Sequence, residues 1–205
     1  MKNFIEVGKT EEEQAEQIKK WIKENALQIV IGVALGVSGI WGVNYYNIQQ
    51  QKQAIQARSY YLSVVDNPSN IQALNALKEQ HADSSYAQQA DLILAKQAVS
   101  KGDYQGALTY LHPLASSKNE FIMHVAKLRI ANLHLEMGNP DQALSILKGN
   151  TNKEFNALYN YIKGDAYFTK NDLIAAKKYY QLAFSQLPDS SRFKNLIKVK
   201  LNDIN

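Results

Sequence analysis

From Asn25 to Gln51 the chain carries no ionisable side chain other than tyrosine, and this gap limits its possible folds more than any other feature. The core of the gap, Ala26 to Tyr46, holds 21 residues. As a helix rising about 1.5 Å per residue it is roughly 31 Å long, which matches the hydrocarbon thickness of a bilayer. Trp21 lies just outside one end, and Trp41, Tyr45 and Tyr46 lie at the other. Amphipathic rings favour those membrane–water boundaries. A buried core helix is rarely so long and apolar with aromatic flanks. A cleaved signal peptide fits poorly, because the preceding segment is acidic as well as basic and no Ala-x-Ala site follows the apolar run. Residues 26–46 therefore read as a single uncleaved transmembrane helix.

Lys19, Lys20 and Lys23 crowd the N-terminal side of this segment, whereas Lys52 and Arg58 stand further from the other end. The bias places residues 1–25 in the cytoplasm and the larger C-terminal part outside. Thr10 with Glu13 matches a capping box, acids lead and lysines follow, and Ile18, Trp21 and Ile22 form an apolar stripe. This predicts a short amphipathic cytoplasmic helix. Within the span, Gly32 and Gly36, then Ser38 and Gly42, have the spacing that lets helix backbones approach closely in lipid. Glycine is also simply common in membrane helices, so a packing face and a neutral composition are equally compatible with it.

Beyond the span the periodicity predicts helix over 47–65, a break at Asp66-Asn67-Pro68-Ser69, and a second helix over 71–80. One pattern then returns three times. Its turns begin at Gly102, Gly138 and Asn171. Five residues after each comes an alanine (Ala107, Ala143, Ala176), and four further on a large residue (Leu111, Leu147, Tyr180). Seven residues before each turn comes a small one (Ala95, Ala131, Gly164). Paired antiparallel helices produce this pattern: small residues sit where the helices cross, and Gly or Asn tolerates the left-handed cap between them. Asn139-Pro140 reads as an N-cap followed by an N1 proline. A period near 34 with these positions resembles the tetratricopeptide repeat. The third copy is closest, with Gly164, Tyr167, Ala176, Tyr180, Ala183 and Pro188 in place. The expected fold is all-α: one membrane helix followed by a tetratricopeptide-like α-solenoid over 47–205, closed by a helix from Ser190 to Ile204. That last helix carries Arg192, Lys194, Lys198 and Lys200. They suit a solvated outer face, or contact with anionic lipid or an acidic partner.

In such a stack the first helix of each pair lines the concave surface. The alignment assigns Leu92, Lys96 and Val99, then Leu128, Asn132 and Leu135, then Tyr161, Asp165 and Phe168 to that lining. An apolar concavity with a few polar points suits chains or partner surfaces, unless another helix or a second copy covers it. Leu92, Leu128 and Tyr161 stand where a clamp for a terminal carboxylate would place charge, which argues against that ligand.

Chemistry finds little support. The chain has no cysteine, which excludes thiol nucleophiles and Cys-type zinc sites. His81, His112, His124 and His134 are scattered, with no HExxH, GxSxG, Walker A or GxGxxG motif. His134 reads as a core histidine, and the turn acids Asp103, Asp141 and Asp172 read as caps. No catalytic residue, metal or cofactor is expected. A net charge of +4 is too small to argue for nucleic acid.

Four stretches carry a closer likeness. Ile18-Lys-Lys-Trp-Ile-Lys-Glu-Asn25, Ile31-Gly-Val-Ala-Leu-Gly-Val37, and Gln53-Ala with Ala57 and Tyr60 resemble the YfgM family of Gram-negative envelope proteins, as does the ending Lys198-Val-Lys-Leu-Asn-Asp-Ile204. The resemblance implies an ancillary subunit of the SecYEG translocon, single-pass in the inner membrane, with its repeat domain in the periplasm. It implies a PpiD-like membrane chaperone as partner, and a role in passing unfolded or emerging polypeptides to periplasmic chaperones. It also implies, as an alternative, negative control of an envelope-stress phosphorelay.

Overall fold

A computed structural model describes residues 11–150 and 152–204; Thr10, the expected cap, lies outside them. Among the described residues there are ten α-helices, one short 3-10 turn and no strand. The chain divides into two compact units between Ile55 and Gln56.

In the first unit, α1 (Glu11–Glu24) has the expected acid-first, lysine-last order, and none of its residues is buried. A single residue, Asn25, separates it from α2 (Ala26–Asp66), and its side-chain amide donates to the Trp21 carbonyl at 2.8 Å. The expected span and the expected helix over 47–65 are one continuous helix, because nothing between Tyr46 and Asn47 removes a donor or demands a turn. Among the described residues α2 alone is long and apolar enough to cross a membrane, and its most apolar window has no buried residue.

In the second unit, the end of α2 contributes Ala57 and Val64 to a small core with α3 (Ile71–Gln80) and the start of α4 (Ser85–Ser100). Three hairpins follow: α4 with α5 (Tyr104–Leu114), α6 (Glu120–Glu136) with α7 (Pro140–Ile146), and α8 (Asn156–Thr169) with α9 (Leu173–Gln186). The last helix is α10 (Arg192–Asn202). The turns inside the hairpins are superimposable in their bonding. Gly102, Gly138 and Asn171 have φ of 76°, 74° and 60°. The amide of the next residue reaches back five positions, from Asp103 to Ala98 O, Asn139 to His134 O and Asp172 to Tyr167 O, at 2.9, 2.7 and 2.9 Å. This is the Schellman arrangement, which needs a residue that tolerates left-handed backbone. Asp103 and Asp172 then cap the second helices, accepting from Gly106 N and Ala175 N. Asn139 makes no side-chain cap bond, contrary to the sequence expectation. Proline at N1 does remove one of the free donors of the first turn, although not the one an N-cap side chain would bind. Asp141, also expected to cap, forms an ion pair with Lys170 instead.

The crossing positions pack as the repeat pattern predicts. Ala95, Ala107 and Leu111 share one core cluster, and Ala131, Ala143 and Leu147 the next. In the third hairpin an added Cβ on Gly164 would lie 2.5 Å from Tyr180 Cδ1 and Cε1. The whole side chain of Tyr180 is buried through that contact. Successive clusters are joined by shared residues: Ile146 packs on the first two repeat cores, and Tyr161 on the second and the last.

Candidate functional site

Helices α4, α6 and α8 lie side by side, so their outward positions form one surface. Three adjoining cavities open on it. One of about 360 Å³ is lined by Lys96, Val99, Tyr104, Arg129, Asn132 and Glu136 among others. A second, of about 420 Å³, gathers Phe121, Phe155, Tyr161 and Phe193 with Arg129 and Asn132. The third, of about 430 Å³, includes Asn132, Leu135, Asp165, Phe168 and Lys200. Asn132 borders all three.

Of the nine residues expected to line the groove, Lys96, Val99, Asn132 and Phe168 are exposed, and Leu92, Leu135, Tyr161 and Asp165 are half-buried. Leu128 lines the second cavity, but it is not exposed. It is only 8% exposed and belongs to the core shared with Tyr159 and Ile162. The cause is position in the stack: α6 is the middle first helix, so α8 covers the flank on which Leu128 lies. The neighbouring Arg129 is exposed instead and lines two of the cavities. Its Nη1 donates to the Leu92 carbonyl at 3.1 Å, which ties α6 to α4. Sequence reasoning missed it, although Arg129, Asn132 and Glu136 form a polar stripe with helical spacing in an otherwise apolar helix. Arg129 thus adds a charge beside Leu128 in the second cavity.

The closing helix supplies the rest. Phe193 of α10 meets Tyr161 edge to face with ring centroids 4.7 Å apart, and Lys200 Nζ donates to Asp165 Oδ1 at 2.9 Å. The same carboxylate oxygen accepts the buried Tyr180 hydroxyl at 2.6 Å. Burial, with the Asp165 carboxylate beside it, pushes the Tyr161 phenol up to about 12. Burial likewise raises Tyr180, reinforced by its bond to Asp165. Two of the four basic residues of α10 are thus engaged within the domain, Lys194 with Asp189 and Lys200 with Asp165.

The four histidines lie apart, at the end of α3 (His81), in α5 (His112) and in α6 (His124 and His134). Among the described residues no cluster of three or more His, Cys, Asp or Glu could hold a metal. His124 is buried, and His134 is half-buried with its Nδ1 enclosed. His124 stacks on Phe155 with centroids 4.5 Å apart, and its Nδ1 lies 2.9 Å from the Tyr159 hydroxyl. Desolvation holds its pKa below 6.5; Lys127 adds to this and Glu120 opposes it. Burial and the nearby His112 lower His134 as well. A histidine whose folded pKa is depressed is bound best when neutral. Its contribution is therefore complete above the ordinary value near 6.5 and declines as pH falls through the folded value. We expect urea midpoints of the chain to drop between pH 7 and pH 5, and to drop less in a His124→Gln, His134→Gln double variant. Equal pH slopes in the two proteins would contradict this.

The comparisons with known proteins agree with this architecture. Residues 19–205 match the family model described as a tetratricopeptide repeat-like domain. A Haemophilus influenzae protein named ancillary SecYEG translocon subunit is 32% identical over 200 residues, covering 95% of this chain and 97% of its own. Proteins of the same name from Escherichia coli K12 and Neisseria gonorrhoeae are 25% and 24% identical, covering 98% and 95% of this chain and 99% and 97% of their own. No solved structure matches the chain.

Proposed function

Because the chain belongs to the YfgM family, whose members are named ancillary SecYEG translocon subunits, we propose that it is such a subunit: a membrane-anchored, non-enzymatic scaffold with chaperone character. Residues 26–46 span the inner membrane, residues 1–25 stay in the cytoplasm, and residues 47–205 form the repeat domain in the periplasm. The lysine bias at the ends of the apolar run supports this orientation. Gly32 with Gly36, and Ser38 with Gly42, give the span two small-residue strips for helices of the channel. The groove with Lys96, Val99, Asn132 and Phe168 at its surface receives a PpiD-like chaperone or unfolded, emerging polypeptides. Tethering supplies the mechanism: a site held beside the channel meets each emerging chain at a high effective concentration, so weak contacts suffice.

The observation that carries this reading is the semi-apolar concave face on a chain that also has a bilayer-length apolar helix. Photo-crosslinkers placed at Gly36 and Gly42, and at Val99 and Phe168, test it in native membranes. The span positions are expected to give SecY adducts and the groove positions PpiD-like or nascent-chain adducts. Absence of both kinds would remove the proposal.

A further inference from the structure

The second cavity allows the partner's chemistry to be specified, an inference that rests on the scaffold reading of the same groove. Four rings from four separate elements converge there: Phe121 of α6, Phe155 at the end of the 3-10 turn (Lys153–Phe155), Tyr161 of α8 and Phe193 of α10. They are already ordered against one another. Phe121 and Phe155 are tilted with centroids 6.0 Å apart, Phe155 is held by the stacked His124, and Phe193 is set edge-on to Tyr161. Phe121 nevertheless remains 65% exposed, so its ring has an open face turned towards solvent. Rings pre-set in this way favour another aromatic ring, which can add an edge-to-face contact at little ordering cost.

One charged residue lines this cavity, Arg129. Its guanidinium spends one donor on the Leu92 carbonyl, and among the described residues it forms no ion pair with a carboxylate. In the adjoining cavity a second cation, Lys96, is offset by the exposed Glu136, which leaves Arg129 without a matching acid. The acid on the other side, Asp165, is already engaged by Lys200 and Tyr180. The unmatched charge at the rim is positive, and an arginine with free donors pairs best with a planar carboxylate. The cavity is also not isolated. Its neighbours continue along the groove past Asn132, whose amide can both donate to and accept from an extended peptide backbone.

We infer that this cavity is a docking site for an extended polypeptide segment in which an aromatic residue stands next to an acidic one, the ring entering among Phe121, Phe155, Tyr161 and Phe193 and the carboxylate pairing with Arg129. The test uses the full chain in lipid nanodiscs and fluorescein-labelled Gly/Ser peptides, blocked at both ends, with a central Glu-Phe, Lys-Phe or Glu-Ser pair. Anisotropy should show binding of the Glu-Phe peptide, weakened by added salt, with about tenfold weaker binding for each of the other two. Phe121→Ala and Arg129→Gln, both at exposed positions, should each weaken the Glu-Phe peptide by about the same factor. Equal affinity for the three peptides, or affinity unchanged in both variants, overturns the inference. If crosslinks to SecY persist while peptide selectivity is absent, the docking site alone falls. If selectivity is present but the membrane crosslinks are absent, the scaffold reading falls and the site remains.

Discussion

Replacing Tyr180 with alanine is expected to cost the repeat domain about 3–5 kcal/mol, the loss typical of deleting a fully buried aromatic ring. The ring fills the crossing of α8 and α9, where the absence of a side chain on Gly164 makes room for it. Tyr180→Phe keeps that packing and loses only the bond to Asp165, which retains Lys200, so it should cost about 1 kcal/mol. Gly164→Ala places a carbon against the ring and should cost about 1–3 kcal/mol on its own. In the Tyr180→Ala background the same change has space and gains alanine's helix preference, so its cost should disappear. Urea unfolding of the four proteins of this cycle, followed by near-ultraviolet circular dichroism, reads the coupling. Strict additivity, or a Tyr180→Ala protein within about 1 kcal/mol of the parent, would show that the crossing does not organise the third hairpin.

Two aspartates in the middle of the apolar run are expected to abolish membrane retention. Val33 and Val37 lie near its centre and are exposed along α2. On insertion scales an aspartate at the centre of a span costs about 2.5–3.5 kcal/mol, so the Val33→Asp, Val37→Asp chain carries about 6 kcal/mol against insertion. After an alkaline carbonate wash the parent should stay in the membrane pellet and the variant should appear in the supernatant. A Val33→Leu, Val37→Leu control should behave as the parent. Retention of the aspartate variant in the pellet would mean that lipid does not surround this helix.

What the sequence disclosed, and what it did not, divides along physical lines. The hairpin turns were readable because left-handed backbone admits few residue types, and Gly102, Gly138 and Asn171 are among them. The crossing positions were readable because close helix approach demands small residues at fixed distances from the turns. The groove was less so. Adjacent helix positions are turned by about 100° from one another, so a repeat alignment that selects Leu128 passes over Arg129, although both border the second cavity. How far each is buried depends on the order of helices in space. The part played by α10 was hidden for a similar reason. Its sequence shows a basic helix, but the engagement of Phe193 with Tyr161 and of Lys200 with Asp165 is a long-range pairing. His124 went unrecognised because its partner Tyr159 comes 35 residues later and in a different hairpin.

The residues that pack on two cores at once bear on how such a domain can change over time. Ile146 and Tyr161 are the seams between successive hairpins. A chain assembled this way makes most of its contacts with its immediate neighbours, so the fit of a hairpin is judged at its two faces and nowhere else. A whole hairpin that brings one residue to serve like Ile146 and another to serve like Tyr161 can be added or removed as a unit. A single residue gained or lost inside a hairpin would rotate one face away from its seam, which makes gene duplication a gentler route to a longer groove than gradual insertion.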